Sequence, residues 1–535
     1  MGLIGRAWDW IRGAGKAVGD AMADLTSDPR SVPWPPQEHQ ARLLRYQTYR
    51  RLYHNTTGDG HEQVFRDLGF ELDTDWPYVS VNYLAALTDL VTGRACDEGV
   101  QVTVAEQLNA TKALIDQLTF DNDIDQKVRR WLTDASVCGD TVLKVRYNAD
   151  HQRISVDVVD PATFYPVYLG DQLMSADIGE VLTRDKQYHL HIERHWIEAL
   201  SGGGTESVIA HELYLLHGQP GHGYRYRPNV DRLPLTALPE LAALSEEPVR
   251  TGVPGLLLLH VPNGQTLPWG TSDYESLLSI QGELNAAETQ RARILKMHAD
   301  PGLYGPASAL GPDGELKCSE SKFWPVPDGW TGGAPVGYVT WGEDLTAVEN
   351  AIKELKEAFV AAAGIDMSAL LPQEGGGPTS GVALRLSQMR TQTLARRKQQ
   401  MFDRPLRWLY TTAMELHAAV TRRGWPIWQP VEGQVELVSM RDLVLTWQDG
   451  LPSNLTEDIA DQAAMVEAGL QPRVDAIAAL HGISMEAAQA KLDRINQEGA
   501  TGNPVPTLTP GLSPFSIGFG SEPTGILTVE NGLTA

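Results

Sequence analysis

The chain has 535 residues, more than one ordinary hydrophobic core accommodates, so the length predicts a few packed modules. Hydrophobic residues make up 42% and charged residues 21%, a composition typical of water-soluble proteins, and no apolar run is long enough to span a bilayer. The formal net charge of −24 excludes an extensive basic surface of the kind that grips nucleic acid through many phosphates. A surface past which DNA slides is still compatible with this charge.

Cysteine usage indicates the redox environment. The three cysteines, Cys96, Cys138 and Cys318, are odd in number and far apart in the sequence. This pattern supports neither a disulfide framework nor a cysteine-based zinc site. It is typical of a protein from a reducing compartment such as a bacterial cytoplasm.

The N-terminal segment, residues 1–32, begins with an amphipathic helical pattern rather than the apolar core of a signal peptide. Its apolar side chains near one face are Ile4, Trp8, Ile11, Val18 and Met22. We expect this face to pack on its own protein or on a neighbouring subunit. Binding to a membrane surface is the weaker alternative, because the polar face mixes acidic and basic residues.

Residues 33–271 are predicted to form a module of helices followed by strands. Helical periodicity covers 38–56, 80–93, 105–119 and 123–137, and Gly93 is predicted to end the second helix. Alternation and β-branched residues then predict strands at 141–147, 154–159, 164–168, 187–197 and 206–217. This order predicts an α+β fold.

A pair of helices separated by a β-rich stretch follows. Residues 272–298 carry a capping pattern, Ser272 with Glu275, and predict a helix of about 38 Å. Residues 299–345 are dense in glycine and proline and predict a small β-rich excursion. A second helix covers 346–364. The two helices share an apolar stripe made of Leu277, Ile280, Leu284, Val348, Ile352, Leu355 and Phe359.

A glycine-rich loop, residues 365–380, precedes a very long helical stretch over 381–423, inside which Pro405 should kink or break the helix. The loop is not a nucleotide-binding P-loop, because Val382 and Ala383 follow Gly381 where that motif requires Lys and Ser or Thr. Either a mobile functional loop or a plain flexible linker accounts for its glycines.

The C-terminal part is predicted to be helical and then irregular. Short strands precede three short helices at 456–468, 472–481 and 484–498. The tail, residues 500–535, has no Lys or Arg and is rich in Gly, Pro, Ser and Thr. We expect much of this tail to be disordered or to order only against neighbours.

Basic residues concentrate on the long helical stretch. Segment 381–424 holds nine basic and two acidic residues, so its net charge of +7 leaves −31 for the rest of the chain. Its first basic residues are Arg385, Arg390, Arg396, Arg397 and Lys398. Either these residues form a basic belt that faces DNA or acidic parts of adjacent subunits, or they form a solvated helix face with local carboxylate partners.

The best metal-site candidate is a run in which His189, His191, Glu193 and His195 alternate on one strand face. Ligands at this spacing spread over about 20 Å, too far to converge on one ion, so a solvated strand face is the favoured interpretation. Neither a nucleophile elbow nor a dinucleotide-binding fingerprint is found. The sequence therefore predicts no catalytic residue, no metal and no cofactor.

Several local segments, in this order, resemble the portal protein family of tailed bacteriophages. They are VNYLAALTDLVTG, CGDTVLKVRYNADHQRISVDVVDPATFYPVY (138–168), VPNGQTLPWGTSDYESLLSIQGELNAAETQRARILKMHADPGLY (261–304), VENAIKELKEAFVAAAGID (348–366), PTSGVALRLSQMRTQTLARRKQQMF (378–402) and LTWQDGLPSNLTEDIADQAAMVEAGLQPRVDAIAALHG (445–482). The resemblance covers residues 38–498, and the order of the segments is more specific than any one of them.

The resemblance implies a portal fold with a wing, a long-helix stem, a small β-rich clip, a kinked spine helix and a helical crown. On this mapping the parts are the N-terminal amphipathic segment 1–32, wing 33–271, stem helix 272–298, clip 299–345, stem helix 346–364, tunnel loop 365–380, spine helix and second part of the wing 381–453, crown 454–499 and flexible tail 500–535. It further implies that Gln373, Glu374, Gly375, Gly376, Gly377, Pro378 and Thr379 form the DNA-facing tunnel loop. The stem stripe forms subunit interfaces on this mapping, and we expect it to be exposed to water in an isolated chain and buried only by identical neighbours.

The implied function is a ring of about twelve subunits at one capsid vertex, through which double-stranded DNA is packaged and ejected. Implied partners are further copies of the chain, DNA, the terminase motor, major capsid and scaffolding proteins and a head-tail adaptor, with no membrane. The implied location is the virion, with the host cytoplasm during assembly. The rival hypotheses are another phage head or tail structural protein and, far behind, a metal-dependent hydrolase using the histidine strand.

Overall fold

The structure is a computed structural model. The chain is divided into two compact units, Met1–Leu451 and Pro452–Ala535. It describes residues 30–55, 59–70, 77–97, 99–105, 107–219, 223–264, 268–299, 303–306, 323–326, 337–338, 345–366, 368, 388–447, 455–481, 483 and 485–500. The predicted N-terminal helix, most of the tunnel loop and the C-terminal tail lie outside these residues.

Eight α-helices are described in the first unit. They are α1 (Gln40–His54), α2 (Asp59–Asp67), α3 (Tyr83–Cys96), α4 (Asn109–Asn122), α5 (Ile124–Cys138), α6 (Leu278–Ala299), α7 (Thr346–Ala363) and α8 (Met389–Arg422). Each corresponds to a predicted helix except α2. Gly93 does not end α3, which runs on to Cys96, because this glycine does not adopt the positive φ that ends helices at other glycines of the chain.

Sixteen β-strands are described in the same unit. They are β1 (Val32–Trp34), β2 (Val100–Thr103), β3 (Asp140–Asn148), β4 (Arg153–Val159), β5 (Phe164–Leu169), β6 (Gln172–Arg184), β7 (Gln187–Ala199), β8 (Thr205–Gln219), β9 (Gly223–Tyr226), β10 (Arg232–Leu233), β11 (Val249–Arg250), β12 (Leu258–Pro262), β13 (Leu303–Pro306), β14 (Phe323–Val326), β15 (Gly337–Tyr338) and β16 (Val444–Trp447). The combination of α-helices and β-strands in this unit confirms the predicted α+β class.

These strands form four sheets. The largest is antiparallel with the order β1-β9-β8-β7-β6-β5, and β10 and β11 also pair with β8. A second sheet has the order β12-β3-β4, and a small one pairs β16 with β2. The described residues of the β-rich excursion form the fourth sheet, in which β13 is parallel to β14 and antiparallel to β15.

The larger hydrophobic core lies between α8, the helices α4 and α5, and the sheet of β3, β4 and β12. Trp131 of α5 and Phe402 and Tyr410 of α8 are fully buried in it. Pro405 is also buried and does not break α8, which forms one helix of 34 residues. Burial of its long apolar face offsets the hydrogen bond that the proline removes.

A buried carboxylate joins helix α1 to two strands. Asp140 at the start of β3 accepts hydrogen bonds from the Gly270 amide at 2.8 Å and from the phenol of Tyr46 in α1. His260 Nε2 lies 2.8 Å from Asp140, and the Tyr168 hydroxyl lies 2.6 Å from His260 Nδ1. Because all these groups are removed from water, the network sets where the chain enters α6.

The second unit contains three helices, α9 (Leu455–Glu467), α10 (Arg473–His481) and α11 (Met485–Ala500). Consecutive helices pack on each other, and Ala476 and Ala488 are buried between them. Gly469 follows α9 with φ of 69°, a backbone conformation that favours glycine. The three predicted C-terminal helices are thus confirmed.

Gly179 of β6 provides a direct test of how the N-terminal strand packs on the large sheet. A Cβ atom at this position would lie 2.2 Å and 2.4 Å from two ring carbons of Trp34 in β1. We therefore expect Gly179→Ala to lower the free energy of unfolding by roughly 1–3 kcal/mol in urea denaturation. The matched control is Gly202→Ala, where nothing lies within 4 Å of the added methyl group. Equal stabilities of the two variants would contradict this packing.

Candidate subunit-contact and channel surfaces

The antiparallel hairpin of α6 and α7 does not leave its apolar stripe in solvent. Leu277, Leu284, Ile352 and Phe359 have at most 3% of their surface exposed. They belong to one core cluster with buried side chains of α1, α2 and α3. Ile280, Val348 and Leu355 are partly buried and pack against the same cluster.

The premise that this stripe stays exposed until identical copies cover it is therefore wrong. Helices α1, α2 and α3 supply the apolar partners within the same chain, through Tyr49, Phe65 and Leu87 among others. Burial of each large apolar side chain contributes about 1.5–3 kcal/mol, so the hairpin is stabilised by its own fold. Any contact between subunits must use other faces of these helices.

The opposite face of α7 is exposed and rich in alanine. Its exposed alanines are Ala347, Ala351, Ala358, Ala361 and Ala362, and its exposed polar side chains are Thr346, Glu349, Asn350, Lys353, Glu354 and Glu357. Small side chains allow another helix to approach the backbone closely, whereas the charged Lys353 and Glu354 keep the isolated face compatible with water.

A buried polar network, which the sequence did not reveal, anchors α6 to the preceding helices. Gln281 donates to the Val81 carbonyl at 2.7 Å and to Asn285 Oδ1 at 2.9 Å. Asn285 also lies 3.0 Å from His61 Nδ1, and His61 Nε2 lies 2.8 Å from the Leu52 carbonyl. Burial lowers the pKa of His61, which keeps the ring neutral in this network.

Glu288 of α6 links the two helices of the hairpin. Its carboxylate is almost fully buried and lies 2.6 Å from Arg291 and 3.3 Å from Lys356 of α7. A buried carboxylate with two cationic partners fixes the register between the helices more than it stabilises them.

The two flanks of the glycine-rich loop meet at one point. The Asp366 carboxylate accepts from the Thr391 amide at 2.9 Å, and the Thr391 hydroxyl accepts from the Asp366 amide at 3.0 Å. The chain between α7 and α8 thus leaves and returns at the same place. The tunnel-loop residues Gln373 to Thr379 lie outside the described residues.

The predicted basic belt divides into paired and unpaired residues. Lys398 is buried and lies 2.7 Å from Asp273 and 2.9 Å from Asn263 Oδ1, so it anchors α8 to the entry of α6. Arg390, Arg396 and Arg397 are exposed, and Arg385 lies outside the described residues. Local pairing of Lys398 and solvent exposure of the three arginines agree with a solvated helix face that has local partners, and the belt that faces DNA or adjacent subunits stays a prediction.

The prediction of a solvated histidine strand is wrong. His189, His191 and His195 of β7 are at most 9% exposed. Lys144 of β3 lies 2.5 Å from Glu193, which in turn lies 2.8 Å from His195, so the second sheet covers this face. Alternation on a strand is equally typical of a buried polar face, and only tertiary packing distinguishes the two.

Burial sets the protonation of this cluster. Burial lowers the pKa of His191 and His195. It also lowers the pKa of His211 of β8, whose ring stacks on His191, to about 4. Burial tends to raise the pKa of Glu193, but the Lys144 ammonium and the His195 hydrogen bond hold it well below its usual value. His191, His195 and His211 are therefore neutral at pH 7, and the Glu193 carboxylate is charged.

Three further properties bear on function. Across the part of the chain that the structure describes, no group of three or more His, Cys, Asp or Glu residues could hold a metal ion. Cys96 and Cys138 are free and buried. None of the described helices combines the length and hydrophobicity needed to cross a bilayer.

The histidine cluster predicts a pH-dependent stability. A histidine whose pKa is lowered on folding is protonated more readily in the unfolded chain, so stability falls as the pH drops from about 6.5 towards 4. We expect His211→Gln to flatten this dependence by about 1 kcal/mol per pH unit at most, measured by urea denaturation between pH 7 and pH 5. The control is His54→Gln, which changes an exposed histidine of α1. If stability depends on pH in the same way in the unmodified protein, His211→Gln and His54→Gln, the lowered pKa assigned to His211 would be contradicted.

Comparisons with known proteins place the chain in a family. The model of the family described as phage portal protein, SPP1 Gp6-like, matches residues 35–176 and 232–504. These two stretches span more than three quarters of the 535 residues. The stretch between them, residues 177–231, contains most of β6 together with β7, β8 and β9. No curated protein matches the chain.

Solved structures similar to the chain include "Neck of empty GTA particle computed with C6 symmetry", at 12% identity and a TM-score of 0.39, over 75% of this chain and 90% of that chain. Another is "Virion of native gene transfer agent (GTA) particle", at 12% identity and a TM-score of 0.39, over 88% and 98% respectively. A third is "Neck of native GTA particle computed with C12 symmetry", at 12% identity and a TM-score of 0.36, over 75% and 94%.

The extent of the family match is decisive, because it includes α1 to α8, both ends of the hairpin and the three helices of the second unit. The chain belongs to the phage portal protein family and is a portal protein of a phage-like capsid.

Proposed function

We propose that this portal protein assembles into a closed ring of about twelve copies, through which double-stranded DNA enters and leaves the capsid. The terminase motor docks on the ring during packaging, and a head-tail adaptor replaces it afterwards. Major capsid and scaffolding proteins surround the ring, which forms in the host cytoplasm and stays in the virion. The observation that carries this proposal is the family match over residues 35–176 and 232–504.

The described elements support a division into the parts of a portal. In this proposal α6 and α7 form the stem, the sheet of β13, β14 and β15 belongs to the clip, and α8 is the spine helix. Helices α1 to α5 and the large sheet form the wing, and α9 to α11 form the crown. The proposed function is structural, and ATP hydrolysis belongs to the terminase.

Contacts between subunits are proposed to use the alanine-rich face of α7. The apolar stripe on its other side is committed to the core of its own chain, so only the outward face is available. A contact between two different surfaces that closes by rotation produces a ring rather than a filament.

The exposed face of α7 can be tested without disturbing the core. We expect Ala351→Arg with Ala358→Arg to lower the fraction of protein in rings at least tenfold, because two long cations prevent close helix approach. Mass photometry and negative-stain microscopy measure this fraction, and thermal unfolding should remain unchanged. The matched control is Ala242→Arg with Ala243→Arg, two exposed alanines outside the hairpin. Rings of the α7 variant at wild-type yield would exclude this face as the contact.

The glycine-rich loop is proposed to touch the DNA inside the channel, since both its flanks converge at Asp366 and Thr391. Deletion of Gly375, Gly376 and Gly377 should leave ring assembly unchanged and lower the yield of DNA-filled particles in a complementation assay. Shortening the loop removes backbone freedom but no side chain of the core. Normal packaging by the deletion variant would show that this loop has no role in handling DNA.

A further inference from the structure

The cations of α8 fall into two groups. Two have carboxylate partners in the same chain, Lys398 with Asp273 at 2.7 Å and Arg407 with Asp403 at 2.7 Å, and Arg423, the residue after the helix, pairs with Glu206 at 3.3 Å. Five others, Arg390, Arg396, Arg397, Arg404 and Arg422, are exposed and have no ion-pair partner among the described residues. They differ in this respect from most arginines of the wing, which do pair with a carboxylate.

Three of these arginines, Arg390, Arg397 and Arg404, form one row. They recur every seven residues, and an α-helix drifts by only about 20° over that interval, so their side chains project from the same side of α8. At a rise of about 1.5 Å per residue, the row extends over roughly 21 Å. The opposite side of the helix, with Ala395, Phe402 and Leu409, is buried in the core of the wing. The row is thus held at the surface by a rigid element.

We infer that the row of Arg390, Arg397 and Arg404 binds an acidic surface of a second copy of this chain. This inference rests on the proposed ring and adds an electrostatic contact to it. Segment 381–424 has a net charge of +7 and the rest of the chain −31, so a neighbouring copy presents mostly carboxylates. Guanidinium groups bind carboxylates with two parallel hydrogen bonds, which also specifies the orientation of the partner.

Charge also decides against DNA as the occupant. If each of about twelve subunits presented this row to DNA, about thirty-six cations would contact phosphates, whereas 6–10 such contacts already bind tightly at low salt. A channel through which DNA must move in both directions is not compatible with such a grip. A neighbouring subunit of the ring does not have to move past the row, so strong binding to it is no obstacle. A row of ion pairs also favours one register between the two subunits.

Charge reversal tests the inference on the full-length protein. We expect Arg397→Glu with Arg404→Glu to lower the ring fraction at least tenfold in mass photometry, while the melting temperature of the subunit stays unchanged. The conservative variant Arg397→Lys with Arg404→Lys should keep more than half of the wild-type ring fraction. The matched control is Arg441→Glu with Arg473→Glu, which makes the same change of charge at two exposed arginines outside α8.

Other outcomes overturn the inference. Wild-type ring yield from the charge-reversed protein would do so, and normal rings combined with loss of DNA retention would assign the row to phosphates instead. Equal loss of rings in the control variant would show an effect of net charge and not of this row. Absence of rings from the unmodified protein would refute the proposed function itself. The same measurement therefore distinguishes failure of the proposed function from failure of this inference.

Discussion

Burial of the α6–α7 stripe against α1, α2 and α3 is the interaction on which the rest of this molecule depends. Phe359 and Leu284 are removed from water by side chains of the same chain, together with Phe65 and Leu87. The hairpin is therefore fixed before any neighbour arrives. Its outward face, the flanks of the glycine-rich loop and the start of α8 are all positioned by this one cluster.

Buried polar groups in these cores fix the register between neighbouring helices, because apolar contacts alone would allow the helices to slide along each other. Asn285 and Gln281 tie α6 to the segment before α3, and Glu288 ties it to Lys356 of α7. At the other end, Asp140 orients the backbone that leads into the hairpin. Each of these groups is costly to bury without partners, so the hydrogen bonds and ion pairs that they form favour one arrangement of the chain.

Electrostatics gives the portal protein two distinct surfaces. The chain as a whole is acidic, whereas α8 presents cations, several of which have no ion-pair partner among the described residues. Lys398 and Arg407 form ion pairs with carboxylates of their own chain, and Arg397 forms none with the residues that the structure describes. The paired cations fix α8 to the rest of its unit, and the exposed ones are those to which the proposed contact between copies is assigned.

Periodicity within single segments predicts the α+β class and nearly every long helix, and the resemblance of several segments, in order along the chain, to portal proteins indicates the family. A sequence pattern does not show whether solvent, a neighbouring subunit or the protein's own core covers one side of a helix or strand. All three are compatible with the apolar stripe of Leu284 and Phe359 and with the alternation of His191 and His195. Only the tertiary structure placed all of them inside, because burial depends on segments far apart in the chain, such as Phe65 for the stripe and Lys144 for the histidines.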